Sequence, residues 1–175
     1  MTPREKTAKG HEQHVINLLK QKGQCNWCSS ASQYANIDGF TVAASSGVIK
    51  AAFEIKSRNL SFPQVVVDYH YELMVDTAKV DALSKVSSVL KVPSYLATYF
   101  LADGVVIITP ITDERGIVIC KTRNQERNIS AGMDKGNTIR EVSHIKLDGS
   151  TIISTSEFSM TLWGLGQSRS AQLGS

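Results

Sequence analysis

The feature that most constrains the fold is the run from Val48 to Lys56, in which Ile49, Ala51, Phe53 and Ile55 alternate with Val48, Lys50, Ala52, Glu54 and Lys56. A period of two marks a strand, because successive side chains leave a strand on opposite faces. The first set is wholly apolar and must be covered by another layer. The second carries Glu54 and Lys56 pointing the same way. A chain built around this run contains a sheet, with a carboxylate and an ammonium delivered together to one of its faces.

The surrounding pattern predicts an α/β order. Val15, Ile16, Leu18 and Leu19 recur at helical spacing between His11 and Lys22, and Gly23 supplies a stop. Gln24 to Ser32 reads as a connector, and Tyr34 to Ile37 as a short strand ending at Asp38-Gly39. Phe40 to Ala44 is a second β-like run, joined to the first through Ser45-Ser46-Gly47. From Tyr69 to Leu90, the residues Leu73, Thr77, Val80, Leu83, Val86 and Leu90 fall three or four apart, which predicts one long amphipathic helix bounded by Pro93. Tyr95 to Leu101 and Val105 to Ile108 read as paired strands around Ala102-Asp103-Gly104. Beyond Pro110 come β-like pieces at Gly116 to Lys121, Ile145 to Leu147 and Thr151 to Ser154, and a polar loop from Arg123 to Arg140. The expected organisation is a flexible basic arm over residues 1–10, a core over 11–110, a β-rich extension over 111–163 and a flexible tail over 164–175.

Length and composition narrow the function classes. A chain of 175 residues with 42% hydrophobic and 20% charged residues has the size of one ordinary domain and enough apolar content for a core. No apolar stretch approaches the ~20 residues that span a bilayer, and no secretory signal is expected. Three cysteines favour reduced thiols in a cytoplasmic compartment over a disulfide scaffold. The net charge of +3 identifies no partner by itself, but its distribution is uneven. Residues 1–60 hold eight of the nineteen Lys and Arg and only four acids, Glu5, Glu12, Asp38 and Glu54.

Those few acids form a chemical set. Two carboxylates at the ends of adjacent strands, Asp38 and Glu54, offer an oxygen-rich site for Mg²⁺ or Mn²⁺, which prefers hard ligands and keeps several waters. Lys56 lies roughly 6 to 7 Å further along the same face. From there it can orient or deprotonate a water, or stabilise charge that develops on a phosphodiester. Glu12 sits four and seven residues before Ile16 and Leu19, at the edge of the buried helical stripe, and can face inward.

Asp38 followed by Glu54-Ile55-Lys56 resembles the PD-(D/E)xK nuclease superfamily with its restriction-endonuclease-like fold, although Ile37 stands where the motif's name expects proline. Lys9-Gly10-His11-Glu12 leading into Val15 to Leu19 is similar to the first helix of the Holliday-junction-resolvase branch, as is the strand ending Glu54-Ile55-Lys56-Ser57-Arg58. The similarity covers residues 9 to about 60, continues weakly to Leu90, and does not extend to residues 110–175. It implies a mixed β-sheet flanked by helices. Asp38, Glu54, Glu12 and the Ile55 carbonyl would be metal ligands, and Lys56 the catalytic lysine. The cofactor would be Mg²⁺ or Mn²⁺ and the substrate branched or duplex DNA. A homodimer follows if two strands are cut symmetrically, and a cytoplasmic prokaryotic or phage-encoded setting is implied. Lys9, Arg58 and Ser30 are the expected nucleic-acid contacts.

Each feature also has a plainer reading. Glu54 and Lys56 would make a surface ion pair on an exposed strand, Asp38-Gly39 a turn, and Glu12 a first-turn acid that complements the helix dipole. Cys25-Asn26-Trp27-Cys28 has zinc-ligand spacing, with His11 and His14 as a second pair. The histidines, however, lie about 15 to 20 Å from the cysteines along the helix. A nucleic-acid-binding module without turnover, zinc-stapled or not, and a sequence-specific restriction-type endonuclease are the rival functions. Arg115, Lys121, Arg123, Arg127, Lys135 and Arg140 could line a phosphate surface, with Tyr69, Tyr71 and Trp163 as stacking residues.

Overall fold

The computed structural model describes residues 3–30, 36–130, 137–154 and 159–161. Its elements run α1 (Pro3–Gly23), β1 (Cys25–Ser29), β2 (Gly39–Ala43), β3 (Ile49–Arg58), α2 (Phe62–Val67), β4 (Glu72–Asp76), α3 (Thr77–Leu90), β5 (Ser94–Phe100), β6 (Val105–Thr112), β7 (Thr122–Ser130), β8 (Asn137–Lys146), β9 (Thr151–Ser154) and β10 (Ser159–Thr161). The main sheet has the order β1-β2-β3-β5-β6-β9-β10, and a smaller sheet the order β4-β8-β7. All pairings are antiparallel except β3 with β5, which places Glu54 beside Leu96 and Lys56 beside Thr98. The fold is α/β with a mixed sheet.

The alternation of β3 decides the layers. Ala51, Phe53 and Ile55 pack with Val15, Ile16, Leu18 and Leu19 of α1, together with Ala97 and Val106 of the neighbouring strands. On the other face Ala52 and Leu96 meet Val80 and Leu83 of α3, and Val75 and Ile145 bring the small sheet onto the same layer. Val65, Leu73, Phe100, Ile107 and Leu147 close that face near α2. The side of β3 that carries Glu54 and Lys56 is therefore the side covered by α3 and the small sheet.

Several sequence expectations need correction. Residues 4–9 are not an arm but the first turns of α1, which begins at Pro3. Arg, Glu, Lys and Ala are good helix formers and proline suits a helix start, yet this stretch has no apolar side to betray its period. The connector after Gly23 contains β1, whose Cys25 and Trp27 are half-buried while Asn26 and Cys28 are exposed. Tyr34 and Ala35 lie outside the described residues, and Ile37 is a buried residue in a bend before β2. The long helix from Tyr69 divides. His70 and Tyr71 take left-handed φ values of 50° and 62°, Glu72–Asp76 is a strand, and only Thr77–Leu90 is helical.

The β-rich extension is present and is interleaved with the core. β9 continues the main sheet on β6, and β8 pairs with β4. The expected loop from Arg123 to Arg140 includes the antiparallel pair β7 and β8, whose ladder begins at Thr122 and Ile145. Exposure of Arg123 through Glu126 left no apolar alternation to reveal a strand there. Gly116 to Lys121 makes one bridge, between Thr112 and Val118, and no strand. The tail at 164–175 lies outside the described residues. Among the described residues no helix is long and apolar enough to cross a membrane.

Candidate active site

β3 overruns β2 at its C-terminal end, and Asp38 fills the gap. Its backbone N–H donates to the Phe53 carbonyl at 3.0 Å, and its Oδ2 accepts from the Ile55 N–H at 2.6 Å. The side chain thus extends the β2–β3 ladder by one bond and is locked beside the residue between Glu54 and Lys56. Asp38-Gly39 is more than a turn: Gly39 is the first residue of β2, and a Cβ there would lie 2.5 Å from the Cys28 carbonyl and 2.7 Å from the Trp27 ring. Gly39→Ala should therefore cost about 1 to 3 kcal/mol through overpacking. A lowered urea midpoint with an unchanged slope would show it.

Glu54 is fully buried, and two ammoniums reach it. Lys56 Nζ stands 2.6 Å from Oε1, and Lys79 Nζ stands 3.1 Å from Oε1 and 3.2 Å from Oε2. Oε1 lies against two charges without a well-aligned hydrogen bond. The lysines remain 34% and 24% exposed at the side chain, so the site has a mouth and a closed floor. Burial raises the Glu54 carboxyl above its ordinary value, Lys56 opposes the rise, Asp38 adds to it, and Lys79 opposes it again. Glu12 is raised by burial first and by Asp38 second, against Lys9 and Lys56. Glu12, Asp38, Glu54 and Lys56 thus share one electrostatic field, although they come from α1, the approach to β2, and β3.

The other expected contacts divide. Lys9 is exposed on α1 and acts on Glu12. The Ser30 N–H donates to the Asp38 carbonyl at 3.0 Å, so its backbone borders the site. Arg58 shares the Glu54 and Lys56 face of β3, and its guanidinium donates to the Met74 carbonyl and ties the end of β3 to β4. His11 meets the Tyr99 ring edge-on and His14 meets it tilted, with centroids 5.8 and 5.0 Å from that of Tyr99. Cys25 and Cys28, three residues apart on β1, leave the strand on opposite faces and cannot close on one zinc ion. Tyr69 and Tyr71 are exposed, whereas Trp163 and Lys135 lie outside the described residues.

Lys79 was not anticipated. It occupies the first turn of α3, which carries no acid. A cation there opposes the helix dipole, and that misfit was a usable signal once the helix start is placed at Thr77.

Among the described residues no three His, Cys, Asp or Glu side chains are grouped to hold a metal unaided. The donor chemistry nevertheless fits Mg²⁺ or Mn²⁺. Asp38, Glu54 and the Ile55 carbonyl are hard oxygens, and one or two carboxylates are the usual protein share for Mg²⁺. Carboxylate oxygens beside two partly exposed ammoniums are the chemistry that pairs a hard cation with an anionic oxygen. No protein-family model and no curated protein matches the chain.

Proposed function

We propose that this protein is a divalent-metal-dependent endonuclease of the PD-(D/E)xK type that hydrolyses DNA phosphodiester bonds, with a Holliday-junction-resolvase-like preference for branched structure. The observation that carries the reading is the fully buried Glu54 carboxylate, held by Lys56 and Lys79 beside Asp38. A fold selected for stability alone would do as well or better with apolar side chains at these positions, because desolvation of such a group offsets its Coulombic gain. Perturbed acids clustered with lysines at a mouth are the arrangement that catalysis requires.

Asp38, Glu54, the Ile55 carbonyl and Glu12 are the residues that would hold Mg²⁺ or Mn²⁺. The bound cation would supply an activated water and charge neutralisation at phosphorus. Lys56, at the open end of the site, would as an ammonium orient a water or donate to the phosphate oxygens, and only as the neutral amine would it take a proton from the water. Asp38, fixed through Oδ2 by the Ile55 N–H, would offer its other carboxylate oxygen to the cation. Lys9, Ser30 and the cations Lys121, Arg123 and Arg140 of the small-sheet region supply contacts for the DNA backbone. Arg58 ties β3 to β4 through one N–H, and its remaining guanidinium donors are the ones a phosphate would use. The enzyme works as a homodimer when it cuts paired strands, and in the cytoplasm of a prokaryote or in a phage-infected cell. A restriction-type endonuclease would share every one of these residues and differ in recognition alone.

The test incubates purified protein with branched, duplex and single-stranded DNA in Mg²⁺, in Mn²⁺ and in EDTA. Cleavage that needs the cation, favours the branched substrate and disappears in Asp38→Ala is the expected result. Binding without cleavage under every cation would leave the non-catalytic module as the better reading, and cleavage intact in Asp38→Ala would defeat the site.

A further inference from the structure

Glu54 has one more cation than it needs. Lys56 already gives it a close ion pair on Oε1, while Lys79 reaches both oxygens, at 3.1 and 3.2 Å, from a different element. The helix does not favour Lys79 where it stands, in the first turn of α3 against the dipole. What holds it is the carboxylate. A lysine stem of four carbons, a quarter exposed, leaves the ammonium free to swing toward the mouth once that hold is released.

The charges leave room for such a movement. With the carboxylates ionised, Glu12 with Lys9, and Asp38 and Glu54 with Lys56 and Lys79, sum to zero. A divalent cation would leave two positive charges in excess, and a phosphodiester is the anion that would draw the freer ammonium.

We propose that Lys79 is a displaceable counter-ion of Glu54 that holds the buried carboxylate in place until a divalent cation binds and then turns its ammonium to the scissile phosphate. The inference rests on the nuclease reading and adds a trade-off to it: Lys79 weakens metal binding and strengthens substrate binding. Lys56, which meets only Oε1 and lies on the same strand as Glu54, stays in place throughout.

The experiment titrates the full-length protein with Mn²⁺ alone, by calorimetry or electron paramagnetic resonance, and separately measures duplex and branched DNA binding in Ca²⁺ without turnover. Lys79→Met should bind Mn²⁺ about five-fold or more tighter than the wild type and bind DNA weaker by a similar factor. Lys79→Gln should shift both in the same directions and serves if the methionine variant does not fold. Lys79→Arg, which keeps the charge, should restore weak Mn²⁺ binding. Mn²⁺ affinity unchanged or lowered in both neutral variants would overturn the proposal. Asp38→Asn separates the two levels. If it abolishes Mn²⁺ binding while the Lys79 variants change nothing, the counter-ion role alone falls; if it binds Mn²⁺ as the wild type does, the metal site falls and the counter-ion role with it.

Discussion

Lys56→Ala should slow Mg²⁺-dependent cleavage by a factor on the order of 10² to 10⁴ in single-turnover assays, with the unfolding midpoint little changed. The rate loss follows from the position of the side chain, 2.6 Å from Glu54 and a third exposed at the mouth, where it can orient an attacking water or donate to a phosphate oxygen. The small stability change follows from Lys79, which still reaches both oxygens of Glu54 after Lys56 is gone. Lys56→Arg distinguishes the two roles open to the side chain. A guanidinium stabilises charge but does not give up its proton in a protein, so recovery in the arginine variant assigns an electrostatic role and its absence a proton-transfer role. A Lys56→Ala rate within three-fold of wild type would remove this lysine from the chemistry.

Glu54→Met should abolish cleavage and leave the protein as stable as before, or more stable by up to about 1 to 4 kcal/mol. The carboxylate is fully buried in a layer whose neighbours are Ala52, Leu96, Val80 and Leu83. An unbranched apolar side chain of similar size fills that space without desolvating a charge. Lys56 and Lys79, both partly exposed, then turn to water. The pH dependence of stability should change with it. Burial holds the Glu54 and Glu12 carboxyls above the unfolded value of 4.5, so the native state retains its protons to higher pH than the unfolded chain does. Stability conferred by these two groups is then fullest below the unfolded value and declines as pH rises through the interval up to the native values. Urea unfolding at a series of pH values should show this decline flattened in Glu54→Met. A variant several kcal/mol less stable than wild type would mean that the ion-paired carboxylate holds the fold together, and would reverse the argument drawn from its burial.

The strand that carries the site was legible because one local signal determined it. The alternation from Val48 to Lys56 is strict, one of its faces is wholly apolar, and the structure buries that face under α1 and the other under α3. The hairpin of β5 and β6 was legible for a similar reason: its two apolar runs are separated by Asp103 and Gly104, and Gly104 takes a φ of 66° that a turn can use. The region of β4 was misread because two periods fit it equally well. Leu73, Thr77 and Val80 lie at helical spacing, while Leu73 and Val75 are also the buried pair of a five-residue strand. Pairing with β8, some seventy residues later, settles the choice, and no window of local sequence contains that information.

The misplaced helix start had a second cost. It set Lys79 in the middle of a helix, where a lysine is unremarked, instead of in a first turn where it opposes the dipole. Asp38, Glu54, Lys56 and Glu12 are readable from their chemistry and spacing, and in the structure Glu12 and Glu54 each feel the charges of Asp38 and Lys56. Arg58 was assigned from sequence adjacency, and only the three-dimensional arrangement reveals that the Met74 carbonyl claims its guanidinium. Tertiary partners of long side chains are the class of fact that adjacency does not encode.

The parallel pairing of β3 with β5 has a kinetic consequence. Antiparallel neighbours can zip from a turn, but these two strands meet only after the chain between them has looped back through α2, β4 and α3. The crossover also delivers Lys79, and the ladder it closes sets Lys56 beside Thr98. An incompletely folded or nascent chain therefore has the acids of its first third but no finished constellation around them, and the onset of any activity should coincide with closure of that crossover.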